Sequence, residues 1–372
     1  MKIGCVKEIK SQEHRVGLTP ASVNELKNAG HDVYIETNAG AGINFNDDAY
    51  INAGASITKS PDEIFETCDL IIKVKEPQES EYTKLREGQI LFTYLHLAAD
   101  RAQTEGLIKS KSVAIAYETV TDHHGGLPLL TPMSEVAGRL ATQVGATYLQ
   151  KHLGGTGRLI SGVPGVAPAN VTVIGGGVSG FNAAQMAVGL GANVTILERS
   201  ADKLRELDKH FGASATIEYS NLETLERCVK SSDIIIGAVL IPGASAPKLV
   251  KKEWLKDMLP GSVLVDIAID QGGCFETSKA TTHENPTYII DDVIHYCVAN
   301  MPGAVPLTSA LALNNATLPY ILQIANKGWQ RALNENAHLK NGLNVCFGEI
   351  THKGVAESLN FEYIETPSAL RE

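Results

Sequence analysis

The sequence lacks several features, and each absence narrows what it can be. No apolar run approaches the roughly 18 residues that cross a bilayer as a helix. Its opening, MKIGCVKEIKSQEHR, carries charges at Lys7 and Glu8 and no apolar core of signal-peptide length. A soluble, cytoplasmic chain with no membrane association is expected. Positive charge is in deficit: 32 Lys+Arg face 42 Asp+Glu, a formal charge of −10 over 372 residues. That balance opposes a nucleic-acid partner, which needs a basic face for phosphates, and also docking on an anionic bilayer. The six cysteines, Cys5, Cys68, Cys228, Cys274, Cys297 and Cys346, form no C-x-x-C pair. A zinc knuckle or redox dithiol is therefore not expected, and the thiols read as buried and free. Metal sites are expected to be none. Low-complexity tracts and fixed-period repeats are also missing.

What is present is ordinary globular composition, 44% hydrophobic and 20% charged, which excludes wholesale disorder and suffices for a sizeable core. Short β-branched runs alternate with amphipathic stretches, the pattern of parallel sheets with crossover helices. MKIGCVKEI, HDVYIET, DLIIKVKEP, QILFTYLHL and SVAIAYETV read as strands of a first domain. Thr19-Pro20 starts a helix that Gly30 closes, and Ser60-Pro61-Asp62-Glu63 reads as a capping box. Thr131-Pro132 opens a long helical segment. A second α/β set follows: NVTVIGGG, ANVTILE, SATIEY, DIIIGAVL and SVLVDIAID. A last helical pattern begins near Thr308, with Pro319 bending it or starting a new helix. The expected fold class is α/β, two doubly wound domains. One spans 1–130 plus 307–372, made discontinuous by returning C-terminal helices; a Rossmann domain over 131–306 is inserted in it.

The sharpest motif is Val171-Thr172-Val173-Ile174-Gly175-Gly176-Gly177-Val178-Ser179-Gly180. It places Gly175-x-Gly177-x-x-Gly180 directly between a strand and a small-residue helix, the context that makes such glycines meaningful. Gly175 permits the tight turn, Gly177 lets backbone approach a pyrophosphate, and Gly180 lets helix and strand pack closely. Glu198 ends the next strand, 23 residues past Gly175, where an acid binds both ribose hydroxyls and repels a 2′-phosphate. NAD rather than NADP is the expected cofactor.

Ligands of open α/β sheets bind beyond the carboxyl ends of strands. The polar residues there are Arg15, Lys75, His96, Glu118 and Asp270. A guanidinium such as Arg15 can grip a carboxylate with two prongs. Lys75 supplies a compact positive charge, His96 a proton donor and acceptor near neutrality, and Asp270 a carboxylate to activate water. Local sequence leaves bland readings open. Arg15 could be one more solvated charge, His96 a satisfied core histidine, and one of Lys73 and Lys75 a surface cation, with Pro77 placing Lys75 nearer the loop and favouring it as the site residue. Asp266 lies deeper than Asp270 and reads as a backbone partner; Glu118 reads as structural. His123-His124, adjacent in a Gly-rich turn, read as a solvated loop.

Taken together, these residues resemble the alanine dehydrogenase and nicotinamide nucleotide transhydrogenase family. The likeness is carried by KIGCVKEIKSQEHRVGLTP, IIKVKEPQ, LFTYLHLAAD, LPLLTPMSEVAGR, the Gly-rich turn, LVDIAIDQGG and VANMPGAVP, and covers nearly the whole chain. It implies a split substrate domain around a dinucleotide domain. It further implies reversible, NAD-dependent oxidative deamination of L-alanine to pyruvate and ammonia. On matching positions, Arg15 and Lys75 would bind substrate, with His96 and Asp270 catalytic. Implied cofactor contacts are Ser134, Val178, Glu198, Lys203, Ser220, Val239, Leu240, Ile267, Asp270, Lys279, Val298, Asn300 and Met301. Where some relatives carry Asp at the ribose position, this chain has Glu198. A homo-oligomer, specifically a homohexamer, is implied as well. Two alternatives stand beside this reading: a saccharopine- or opine-type dehydrogenase of the same fold, and a non-catalytic NAD(H)-binding subunit of a transhydrogenase.

Overall fold

The first helix, Pro20–Asn28, starts and stops where its chemistry dictates. Thr19 Oγ1 accepts the Ser22 N–H, Pro20 occupies the first turn, and Gly30 adopts φ +87° just beyond the end. The helix Pro61–Thr67 opens with Ser60 accepting from the Asp62 N–H. That cap is a single bond rather than the reciprocal pair expected with Glu63. The computed structural model describes residues 1–239, 246–365 and 370. It divides into two units, Met1–Met133 with Val305–Glu372, and Ser134–Ala304.

In chain order the first unit contributes β1 (Lys2–Cys5), β2 (Asp32–Glu36), β3 (Ser56–Thr58), β4 (Leu70–Ile72), β5 (Ile90–Thr93) and β6 (Val113–Ala116). The second unit holds β7 (Asn170–Ile174), β8 (Asn193–Glu198), β9 (Thr216–Tyr219), β10 (Ile234–Gly237), β11 (Val263–Asp266), β12 (Thr287–Ile290) and β13 (Val293–Tyr296). The chain then returns to the first unit with β14 (Leu343–Cys346) and β15 (Glu349–Ile350).

Both sheets follow one plan. The first runs β15-β14-β6-β5-β4-β1-β2-β3, the second β12-β13-β11-β10-β7-β8-β9. β1–β6 pair in parallel, as do β7–β11 and β13, while β12, β14 and β15 pair antiparallel. The chain is thus the expected doubly wound α/β protein. Each sheet reverses its order once, between β1 and β4 in the first and between β7 and β10 in the second. Such reversals open a crevice at the strands' carboxyl ends.

The returning segment is not only helical, as the sequence had suggested. β14 pairs with β6 through Leu343 and Ile115, and all four of its residues are buried. A four-residue run containing Asn344 carries too little alternation to announce itself. Pro319 starts no new helix: Pro306–Lys327 runs through it, held by buried Leu313, Thr317, Ile321 and Ile324. On that helix Asn314 Oδ1 accepts the Thr19 N–H at 2.8 Å and the Ser22 hydroxyl at 2.9 Å. The core of the first unit gathers Ile64, Phe65, Ile71, Leu91, Leu107 and Val345. That of the second gathers Ile174, Leu197, Ile235, Trp254, Leu264 and Phe275. All six thiols are buried and unpaired. Among the described residues, no helix is long and apolar enough to cross a membrane.

Candidate active site

In the first unit, three predicted residues follow adjacent strands at the reversal: Arg15 after β1, Lys75 after β4 and His96 after β5. Arg15 is 2% exposed, so it is not a solvated charge. Its Nε donates to Glu13 Oε1 at 2.7 Å and its Nη2 to Glu13 Oε2 at 2.6 Å. Nη1 lies 3.2 Å from the Met133 sulfur. Burial opposes the charge, but the bonds and charge of Glu13 outweigh it and hold the guanidinium above its ordinary pKa.

The two lysines separate sharply. Lys73, offered by its sequence as a possible surface cation, is 0% exposed. Its Nζ donates to Glu81 Oε1 at 2.7 Å and to Glu8 Oε2 at 3.1 Å. Glu8 Oε1 also takes the Val74 N–H at 2.6 Å and the Lys75 N–H at 3.3 Å, fixing the strand exit. Because β4 stops at Ile72, Lys73 and Lys75 are not two positions on one pleated face. The Lys75 ammonium has no hydrogen-bond or ion-pair partner among the described residues. Burial pushes its pKa down; Glu76 opposes this, and the Arg15 and Lys10 cations add to the fall. A half-buried cation beside a second cation, with no ion-pair partner among the described residues, has the charge to suit a small anionic group.

His96 is not a core histidine: its side chain is 50% exposed. It sits at φ +51°, a left-handed position strained for a residue with a Cβ. The ring stacks on buried Tyr94 at 5.8 Å, and the Tyr94 hydroxyl donates to the Leu129 carbonyl. The Glu118 carboxylate receives the backbone N–H groups of Leu95 and His96.

In the second unit, Gly175 turns at φ +98° directly after β7. A Cβ on Gly180 would meet the Gly175 carbonyl at 1.8 Å, whereas one on Gly177 would meet nothing within 4 Å. The helix Val178–Gly189 begins at Gly177 with no side-chain cap, and Val178 is 43% exposed. Its first N–H groups thus have no side-chain cap, the condition under which a helix start can receive an anion. Glu198 Oε2 accepts the Gly176 N–H at 2.7 Å, and Oε1 the Arg199 and Ser200 N–H groups at 2.6 and 2.9 Å. The Ser220 N–H reaches the Glu198 carbonyl at 2.9 Å, and Val239 lies against Gly175. These residues fit a dinucleotide: an approachable turn, an uncapped helix start and a fixed carboxylate.

Ile267 and Asp270 share the short 3-10 turn Ile267–Gln271 after β11, and exposed Asp270 takes the Asn300 N–H on Oδ1 at 3.3 Å. Asp266 is 0% exposed and receives the Ala268 and Cys274 N–H groups at 3.0 and 2.9 Å. Val298 and Met301 are buried beside Asn300. Ser134 lies in the first turn of the helix Thr131–Tyr148. The Lys203 ammonium turns to Glu206 at 2.7 Å, and Lys279 is exposed with its N–H on the Tyr288 hydroxyl. Neither side chain bonds another candidate. Leu240 lies outside the described residues.

Two family models match consecutive parts of the chain: the alanine dehydrogenase/PNT N-terminal domain over 4–137 and the C-terminal domain over 141–353. The chain belongs to the alanine dehydrogenase/PNT family. Within it, the alanine dehydrogenase of Halomonas elongata is 55% identical over 370 residues, 100% of each chain. Alanine dehydrogenase 2 of Staphylococcus aureus is 55% identical over 372 residues, again 100% of each. A solved L-alanine dehydrogenase is 49% identical at a TM-score of 0.94, covering 97% of this chain and 99% of that one. A transhydrogenase from Sinorhizobium meliloti shares the fold at 24% identity and a TM-score of 0.82, covering 94% and 100%.

For an alanine dehydrogenase/PNT chain, the residues that sequence reasoning passed over are the buried partners, Glu8, Glu13 and Tyr94. Each acts across space on a residue two or more positions away, and no spacing marks it. His123 is likewise no free loop residue: its Nδ1 lies 3.0 Å from His338 Nε2. Among the described residues, no group of three or more His, Cys, Asp or Glu side chains is placed to hold a metal ion.

Proposed function

We propose that the chain is an NAD-dependent amino-acid dehydrogenase that reversibly deaminates L-alanine to pyruvate and ammonia. One observation carries the chemistry: a chain with an open dinucleotide turn also keeps a half-buried, partnerless Lys75 beside Arg15. Those two cations suit a small substrate's carboxylate. L-alanine is named because full-length relatives at 55% identity carry that activity in their names.

Gly175, Gly177, Val178 and Gly180 hold the pyrophosphate and Glu198 the ribose diol of the adenosine. Ser134, Lys203, Ser220, Val239, Leu240, Ile267, Lys279, Val298, Asn300 and Met301 are assigned the remaining cofactor contacts. Bound NAD would supply the hydride acceptor for the Cα–H of alanine. Arg15 and Lys75 hold the carboxylate so that Cα keeps one orientation. Water then adds to the resulting imine carbon, the C–N bond breaks, and ammonia and pyruvate leave. His96 and Asp270 move the protons of water addition and ammonia loss.

Six buried unpaired thiols support a reducing, cytoplasmic setting. Assembly as a homohexamer is proposed from the family resemblance and is tested by sizing in solution. The functional test is NADH formation with L-alanine, glycine, L-serine and L-lysine in turn. The expected result is a clear preference for L-alanine with release of pyruvate and ammonia. Turnover with lysine alone, or none with any amino acid, contradicts the proposal.

A further inference from the structure

Glu118 stands in the turn Tyr117–Thr119 directly after β6, the neighbour of β5. Its carboxylate faces backbone rather than solvent. Both oxygens receive the Leu95 N–H at 3.2 Å, and Oε1 receives the His96 N–H at 2.6 Å. These two amides have left the strand, since β5 ends at Thr93. Without Glu118 both amides lose this acceptor, and the part-buried Leu95 N–H loses the partner that a desolvated donor requires. The same oxygen lies 4.0 Å from His96 Nδ1, with Glu118 16% exposed and His96 50%.

The remaining groups that face this carboxylate are few. Tyr94 stacks on the His96 ring from below, with its hydroxyl committed to the Leu129 carbonyl. His352, from the segment after β15, also senses the Glu118 charge; its Nδ1 is buried without a partner. Among the described residues, no lysine or arginine forms an ion pair with Glu118. The device recurs: Asp266 holds the Ala268 and Cys274 N–H groups at the base of the turn that carries Asp270. Glu8 likewise holds the Val74 and Lys75 N–H groups.

We propose that Glu118 is the positioning residue for His96: it pins the left-handed turn and, facing Nδ1, keeps the proton there, leaving Nε2 as the proton-accepting nitrogen. This inference rests on the role given to His96 above. A ring whose two nitrogens are chemically distinct works as a base only from the one without a hydrogen, so the tautomer matters to turnover. In this role Glu118 acts through His96.

The test joins one variant with one measurement on the unaltered chain. Glu118→Gln keeps an oxygen for the His96 N–H but removes the charge facing Nδ1. It is expected to lower kcat about tenfold or more, with the KM for L-alanine, NAD binding and the melting midpoint close to wild type. A purely structural residue would instead move KM and the melting midpoint together. In the wild-type protein, a neutron structure from alkaline crystals should show deuterium on His96 Nδ1. Unchanged kcat in Glu118→Gln overturns the proposal, and so does deuterium on Nε2 alone. If Glu118→Gln does not fold, the neutron map decides by itself. A wild-type chain inert toward L-alanine and NAD overturns the functional reading instead, and the neutron map still decides the Glu118–His96 relation.

Discussion

Lys73 and Lys75 stand two residues apart and in opposite electrostatic settings: Lys73 is sealed between Glu8 and Glu81, while Lys75 faces Arg15 with no anion of its own. The acids outweigh burial and raise the Lys73 pKa, whereas burial and neighbouring cations lower that of Lys75. Lys73→Met therefore leaves two buried carboxylates unpaired and should cost about 3–5 kcal/mol of stability. Lys75→Met should leave the melting midpoint at or above wild type, because a poorly solvated charge is removed. Its kcat/KM for L-alanine should fall roughly 10- to 150-fold, the loss of one charged hydrogen bond of about 1.5–3 kcal/mol. Thermal melts and initial rates on the two variants check the contrast; equal effects would contradict it.

Gly177 and Gly180 should respond differently to the same methyl group. On Gly180 it would strike the Gly175 carbonyl, so Gly180→Ala should destabilise the second unit by about 1–3 kcal/mol. On Gly177 it meets open space, so Gly177→Ala should fold normally and still bind NAD more weakly. Denaturant unfolding and NAD titration separate the two; tight NAD binding by Gly177→Ala would remove the pyrophosphate from that turn.

Glu198 supplies the charge that should exclude a 2′-phosphate. Three backbone N–H groups fix its carboxylate, so Glu198→Gln can keep much of that geometry while losing the charge. The NAD-over-NADP ratio of kcat/KM should fall by roughly tenfold, about 1.4 kcal/mol. Parallel initial-rate series with the two cofactors measure it, and an unaltered ratio would move discrimination elsewhere.

His295 and His352 predict how stability depends on pH. Burial lowers both pKa values, opposed by the Val293 carbonyl for His295 and by the Glu118 charge for His352. His295 is fully satisfied as a neutral ring, bonding the Val293 carbonyl through Nδ1 and the Thr277 hydroxyl through Nε2. The unfolded chain binds more protons below the ordinary histidine value of about 6.5. The stability these rings contribute is thus complete above that value and lost as pH falls through their folded-state values. The melting midpoint should decline on acidification across that range, and less steeply in His295→Gln. Identical slopes would show that His295 takes up no proton on unfolding.

The features legible in the sequence are those written locally. Thr19, Pro20 and Gly30 frame one helix within a dozen residues, and Gly175 to Gly180 carry strand end, turn and helix start in a single run. Hydrophobic alternation with β-branched runs was enough to announce a doubly wound α/β chain. Contacts at long range leave no such mark. Glu118 reaches residues more than 20 positions away. Glu8 meets Lys73 across 65 positions. Pro77 already favours Lys75 as the loop-side lysine, but that Lys73 is buried rather than a surface cation follows only from its pairing with Glu8 and Glu81. β14 escaped for a related reason: four buried residues in an otherwise helical region gain their meaning from β6.

The most direct test replaces His96 and Asp270 separately by Asn and compares NADH formation from L-alanine with NAD binding in each variant. The account predicts turnover reduced by about 10²- to 10⁴-fold with NAD affinity retained. Wild-type turnover in both variants would contradict it.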